Sequence, residues 1–126
     1  MAARKIRVLI ADDHRMFAEA LSAILSTDGR ITVVGQAGDG QAAIELAEQE
    51  GADVVLMDIA MPGMDGIEAT REIRERFPAT AVVVVTGSAA TRDVSRARAA
   101  GAAGYVTKDQ IAGDLVHAIL DAAGQS

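Results

Sequence analysis

Several short runs of β-branched residues in this chain are apolar with almost no interruption. The clearest is Val82-Val83-Val84-Val85 within Ala81–Thr86. A strand with one wet face alternates apolar and polar residues. A continuous apolar run must instead be buried on both faces, as in a parallel sheet covered by helices. Five such runs stand out: Ile6–Ala11, Ile31–Gln36, Asp53–Asp58, Ala81–Thr86 and Gly104–Thr107.

The intervening stretches carry helical spacing. Phe17, Leu21, Ile24 and Leu25 make one stripe, and Ile67, Thr70, Ile73 and Phe77 a second. Ile111, Leu115, Ala118, Ile119 and Ala122 make a third. Thr91–Ala100 offers only Val94, Ala97 and Ala100, so that helix is expected to be the most mobile. A five-fold βα alternation predicts a three-layer α/β sandwich with right-handed crossovers. A length of 126 residues suits one domain, residues 1–126. No linker, low-complexity tract or repeat interrupts it, and Gly124-Gln125-Ser126 reads as a fraying end.

Composition narrows the function. Phe17, Phe77 and Tyr105 are the only aromatics, so the core is aliphatic. The absence of cysteine excludes disulfides, thiol catalysis and Cys-ligated metals. A net charge of −6 argues against direct nucleic-acid contact, which needs clustered Lys and Arg. No stretch reaches the length of a membrane span. Met1 to Arg7 is basic, but Val8-Leu9-Ile10-Ala11 stops at Asp12-Asp13, too soon for a signal-peptide core. The expected location is the cytoplasm.

Ligands of parallel α/β sheets bind outside the carboxyl ends of the strands. The first run ends in Asp12-Asp13, the third in Asp58, the fourth in Thr86 and the fifth in Thr107-Lys108. Three carboxylates, a hydroxyl and an ammonium therefore meet at one edge. Closely held carboxylates repel one another, and a hard divalent cation relieves this. Oxygen ligands without His or Cys select Mg²⁺. A metal, a lysine and a hydroxyl together complement a phosphoryl group, whose transfer needs mainly positioning and charge neutralisation. A carboxylate can be the nucleophile, giving an aspartyl-phosphate. Asp58, on the central run, is the best candidate.

Each residue alone has a plainer reading. An Asp at a strand end is commonly a helix cap or turn residue, and a lone Lys a solvated charge. The joint occurrence at four strand ends carries the argument. Gly38, Gly40 and Ala43 match G-x-G-x-x-A, but after the second strand, and they leave the acidic set unexplained. They are read as a turn, with Asp39 as a helix N-cap. His14 and His117 are read as surface or helix-end residues rather than metal ligands.

These motifs resemble the receiver domain of response regulators over essentially the whole chain. The carrying residues are Asp12-Asp13, Asp58 followed by Met61-Pro62-Gly63-Met64-Asp65-Gly66, Thr86, and Tyr105 with Lys108. Ala11-Asp12-Asp13-His14, Val34-Gly35-Gln36-Ala37 and Gly104-Tyr105-Val106-Thr107-Lys108-Asp109 are similar to the NarL/FixJ branch, whose members usually carry a LuxR-type helix-turn-helix domain. The resemblance implies a flavodoxin-like (βα)5 fold with strand order 2-1-3-4-5. It also implies a histidine-kinase donor and Mg²⁺ held by Asp13, Asp58 and the Ala60 carbonyl, with Asp12 acting largely through water. Thr86 and Tyr105 would form the switch. A homodimer formed on phosphorylation and a C-terminal DNA-binding domain outside this sequence are the further partners it suggests.

Three features depart from the family pattern. Asp109 follows Lys108 where many receivers have a cis proline, so a trans bond is expected. Ala60 and Ser88, two residues past Asp58 and Thr86, offer little to guide a hydrolytic water, which leaves the phosphoryl lifetime open. No output domain follows, as in either a trimmed piece of a longer protein or a stand-alone receiver. The rival readings are an aspartyl-phosphate phosphatase, disfavoured because Ala60 stands where a second Asp is wanted, and a degenerate receiver used only for protein contact.

Overall fold

The apolar runs form the sheet they predict. The computed structural model describes residues 4–87 and 90–124. In chain order the elements are β1 (Ile6–Ala11), α1 (Arg15–Ser26), β2 (Ile31–Ala37), α2 (Gly40–Glu50), β3 (Val54–Met57), α3 (Gly66–Arg76), β4 (Ala81–Thr86), α4 (Thr91–Ala99) and β5 (Gly104–Thr107). A 3-10 turn, Lys108–Gln110, then leads into α5 (Ile111–Ala122). All strand pairings are parallel and the order is β2-β1-β3-β4-β5, which is the flavodoxin-like topology. Ser88, Gln125 and Ser126, on which expectations were placed above, lie outside the described residues.

Alternation along the strands divides the core in two. Val8, Ile10, Leu56, Val83 and Val85 face α1 and α5, where Leu21, Leu25, Leu115 and Ile119 close the layer. Leu9, Val55, Met57 and Val82 face α2 and α3, where Ile44 and Ile73 do the same. Val84 packs with Ile67 of α3 and Ala97 of α4 on that second side. Burial on both faces explains the uninterrupted runs. Each fully buried Val, Leu or Ile contributes roughly 1.5–3 kcal/mol.

Local chemistry sets the helix ends. Asp39 caps α2 by accepting from the Ala42 N–H at 2.8 Å, and Asp65 caps α3 through Glu68 at 2.8 Å. The glycine pattern beside Asp39 has a packing reason: a Cβ on Gly40 would lie 2.8 Å from the Met64 carbonyl oxygen. The expected trans bond after Lys108 is present, and no cis peptide occurs among the described residues.

Five expectations need correction. Ile24 is 56% exposed, and Ala18 takes its place in the buried face of α1. Leu120, absent from the expected stripe of α5, is buried. Phe77 ends α3 as its C-cap and is only partly buried. Asp53 and Asp58 flank β3 rather than belonging to it, and β2 extends one residue further to Ala37. The Asp58 N–H still donates to the Ala11 carbonyl at 2.9 Å, which holds Asp58 against the end of β1.

Candidate functional site

β1 and β3 are neighbours, so Asp12 and Asp58, one residue past each strand, are brought side by side. Both are buried, Asp58 at 3% exposure and Asp12 at 5%. Buried carboxylates need partners, and Lys108 supplies one. Its turn follows β5, and its Nζ lies 2.9 Å from Asp12 Oδ2 and 3.2 Å from Asp58 Oδ2. The Thr107 hydroxyl lies 2.5 Å from Asp109 Oδ1 and 2.8 Å from Gln110 Oε1, which fastens the turn that presents Lys108. The Phe17 ring from α1 lies under the ammonium, 4.3 Å from Nζ to the ring centroid, within cation–π range.

Two opposed effects act on Lys108. Burial is the largest single one and pulls its pKa down. The hydrogen bonds and negative charges of Asp12 and Asp58 together outweigh it, and the pKa is raised above the ordinary lysine value. The ammonium is therefore charged throughout the physiological range.

The remaining carboxylate atoms point elsewhere. Asp58 Oδ1 accepts from the Ala60 N–H at 3.2 Å. Asp12 Oδ1 accepts from the His14 N–H at 2.8 Å. Asp13 is exposed beside them. Ligand atoms of Asp12, Asp13, His14 and Asp58 all lie within 4.8 Å of one another. Asp12 Oδ2 is buried without a well-directed hydrogen bond, although Lys108 approaches it. Carboxylate oxygens of Asp12, Asp13 and Asp58 gathered at one strand edge are hard donors that fit a divalent cation such as Mg²⁺.

Thr86 is buried at the end of β4 and pairs in register with Thr107, the residue before Lys108. Tyr105 pairs with Val84 and packs partly buried against Ile67, Val84, Ala97 and Ala100. Two-residue periodicity puts Thr86 and Tyr105 on the same face of the sheet, toward α4. Asp12, Asp13, Asp58 and Lys108 are thus brought together as expected, with Thr86 on the same edge. Ala60 is exposed beside Asp58.

Two residues were not foreseen here. His14 lies at the N-cap of α1, a helix end as expected, but its ring enters the acidic set. Its position directly after Asp12-Asp13 was the available signal. Phe17 was read only as a core residue, and nothing in the spacing showed that its ring meets the lysine.

Fold and site together define a doubly wound α/β domain with an acidic, lysine-bearing pocket at the strand ends. The pattern of the response regulator receiver domain matches residues 8–120, and the chain belongs to that family. It is 40% identical to the transcriptional regulatory protein NarL of Mycobacterium tuberculosis over 119 residues, covering 94% of this chain and 55% of that protein. It is also 40% identical to the nitrate/nitrite response regulator NarL of Escherichia coli K12, over 92% of this chain and 54% of that protein. The solved receiver domain of the M. tuberculosis NarL superposes with a TM-score of 0.92 at 38% identity, covering 98% of this chain and all of that one. These relatives agree with the NarL/FixJ branch. The chain spans about half the length of the curated relatives it matches. No helix of the described residues is long and apolar enough to cross a membrane.

Proposed function

We propose that this domain is a cytoplasmic phosphoacceptor switch that takes a phosphoryl group on Asp58 from a sensor histidine kinase. The observation that carries the reading is the Lys108 ammonium bridging Asp12 and Asp58 across the ends of β1, β3 and β5. It supports the reading by holding a fixed positive charge beside the proposed acceptor.

In the proposed step a carboxylate oxygen of Asp58 attacks phosphorus. The P–O bond forms as the P–N bond to the donor histidine breaks, and the departing imidazole takes a proton from water. Lys108 is close enough to Asp58 to neutralise charge on the transferred oxygens. Thr86, at the neighbouring strand end, can donate its hydroxyl hydrogen to one of them. Mg²⁺, when held by Asp12, Asp13, Asp58 and the Ala60 carbonyl, would neutralise further phosphoryl charge. Ala60 has no polar side chain to orient a hydrolytic water.

The bond between Thr86 and the phosphoryl group is what differs between the two states, and only such a difference can shift their populations. Tyr105 on the same face and the thinly packed α4 would carry the change to the surface formed by α4, β5 and α5. The M. tuberculosis NarL is named as a transcriptional regulatory protein and the E. coli one as a response regulator, and both extend well beyond the matched length. This supports a C-terminal helix-turn-helix DNA-binding domain as the output, with no direct nucleic-acid contact by the receiver.

Incubation with ³²P-labelled acetyl phosphate and Mg²⁺ tests the reading. A receiver takes up about one equivalent of label and slowly loses it. Continuous release of phosphate would instead mark a phosphatase, and absence of label a protein-contact scaffold.

A further inference from the structure

A lysine ammonium is a compact point charge on a flexible four-carbon stem, and its donors can turn to any acceptor in reach. In Lys108 the head group meets Asp12 Oδ2 at 2.9 Å and Asp58 Oδ2 at 3.2 Å. Two distances alone leave Nζ anywhere on a circle around the line joining the two oxygens. A third contact selects one place on that circle. The Phe17 ring supplies it, with its centroid 4.3 Å from Nζ.

The ring is itself held from behind. Phe17 sits in the first turn of α1 and is partly buried against the cluster that contains Leu21, Leu115 and Ile119. One side of the ring therefore belongs to the core, and a face is left for the ammonium. That face carries the negative lobe of the ring quadrupole, and its attraction for a cation strengthens as water is removed. The Lys108 side chain is 22% exposed, so much of its water is already gone. A leucine would fill the same part of the core but would leave this side of the ammonium to solvent.

We infer that Phe17 is a positioning residue for phosphoryl transfer, its ring holding the Lys108 ammonium in place beside the Asp58 carboxylate. This rests on the reading of Asp58 as acceptor and deepens it. A charge already in place when the phosphoryl group arrives needs no reorganisation at the moment of reaction. The ring has no oxygen with which to compete for Mg²⁺ or for the ammonium protons, so it orients the lysine without neutralising it.

Fluorinated phenylalanines at position 17 test this in the whole domain. Fluorine drains electron density from the ring face with little change of shape, so packing is kept while the attraction for the ammonium falls. Uptake of ³²P from acetyl phosphate with Mg²⁺ is expected to slow step by step from mono- to di- to trifluorinated ring, by about fivefold in all. Nuclear magnetic resonance reads the contact without any phosphorylation. Lys5 and Lys108 are the only lysines, and Lys5 is exposed, so ¹³C-lysine protein carries its own reference. The Lys108 ε-methylene protons are expected upfield of those of Lys5 through the ring current, and to return to the Lys5 position in Phe17→Leu. Equal labelling rates across the fluorinated series, or Lys108 signals that coincide with those of Lys5 in wild type, would overturn the positioning role and leave Asp58 as acceptor. Failure of the wild-type protein to take any label would overturn the acceptor reading, and the positioning role with it. Should Phe17→Leu fail to fold, the fluorinated series, which keeps the ring, decides alone.

Discussion

Gly66 and Asp58 approach so closely that a Cβ on Gly66 would lie 2.0 Å from the Asp58 carbonyl oxygen. The N-terminus of α3 is seated on the main chain of Asp58, and the Gly66 N–H donates to the Ile59 carbonyl at 2.9 Å. The obstacle is backbone, which cannot swing aside like a side-chain tip. Gly66→Ala is therefore expected to destabilise the domain by about 1–3 kcal/mol. Urea denaturation checks this, and an unchanged midpoint would contradict the close approach.

Lys108 neutralises two buried carboxylates, so its removal leaves both uncompensated. Lys108→Met is expected to lose phosphoryl uptake from acetyl phosphate and to melt at a lower temperature. Thermal unfolding of this variant beside Asp58→Asn gives the comparison. Retention of wild-type labelling would remove the lysine from the proposed chemistry.

Cation binding should depend on place rather than on total charge. Asp13 belongs to the acidic set, whereas Asp93 lies on α4, 3.9 Å from Arg96. Asp13→Ala is expected to weaken Mg²⁺ binding at least about tenfold, and Asp93→Ala hardly at all. Calorimetric titration reads both. Equal effects would mean that Mg²⁺ responds only to the overall negative charge.

Away from the site, the Arg30 side chain hydrogen-bonds Asp28 at 2.7 Å and 3.0 Å, and its N–H adds another bond at 2.9 Å. Together they lower the Asp28 pKa from 3.8 to about 2. A carboxylate with a depressed native pKa stabilises the fold above its unfolded pKa. That contribution is lost as pH falls from near 3.8 through about 2. Any stability advantage of wild type over Asp28→Asn should therefore be present at neutral pH and disappear toward pH 2. The pair lies at the surface, so the advantage is small. Denaturation of both proteins across the acid range checks the sign. An advantage that grew on acidification would contradict it.

The strands were legible because burial on both faces leaves uninterrupted Val, Ile and Leu. Asp12, Asp58 and Lys108 were legible because the ends of parallel strands share one edge, whatever their separation in sequence. Ile24 was misjudged because it sits on the flank of the α1 stripe, where a small change in helix rotation decides between core and solvent. Leu120 was missed for the same reason on α5. The ring positions of His14 and Phe17 depend on side-chain direction at the start of α1, which residue spacing does not encode. Asp58 was read as the last residue of its strand, yet it lies just past the end, where the chain turns and frees its carboxylate to meet Lys108.

Reductive trapping is the most direct test that Asp58 is the acceptor. Borohydride converts an aspartyl-phosphate to homoserine, so peptide mass spectrometry after acetyl phosphate treatment names the residue that carried the group. The expected result is homoserine at position 58 in wild-type protein and at no position in Asp58→Asn. Homoserine at position 12 or 13 in wild-type protein, or undiminished trapping in Asp58→Asn, would contradict the assignment.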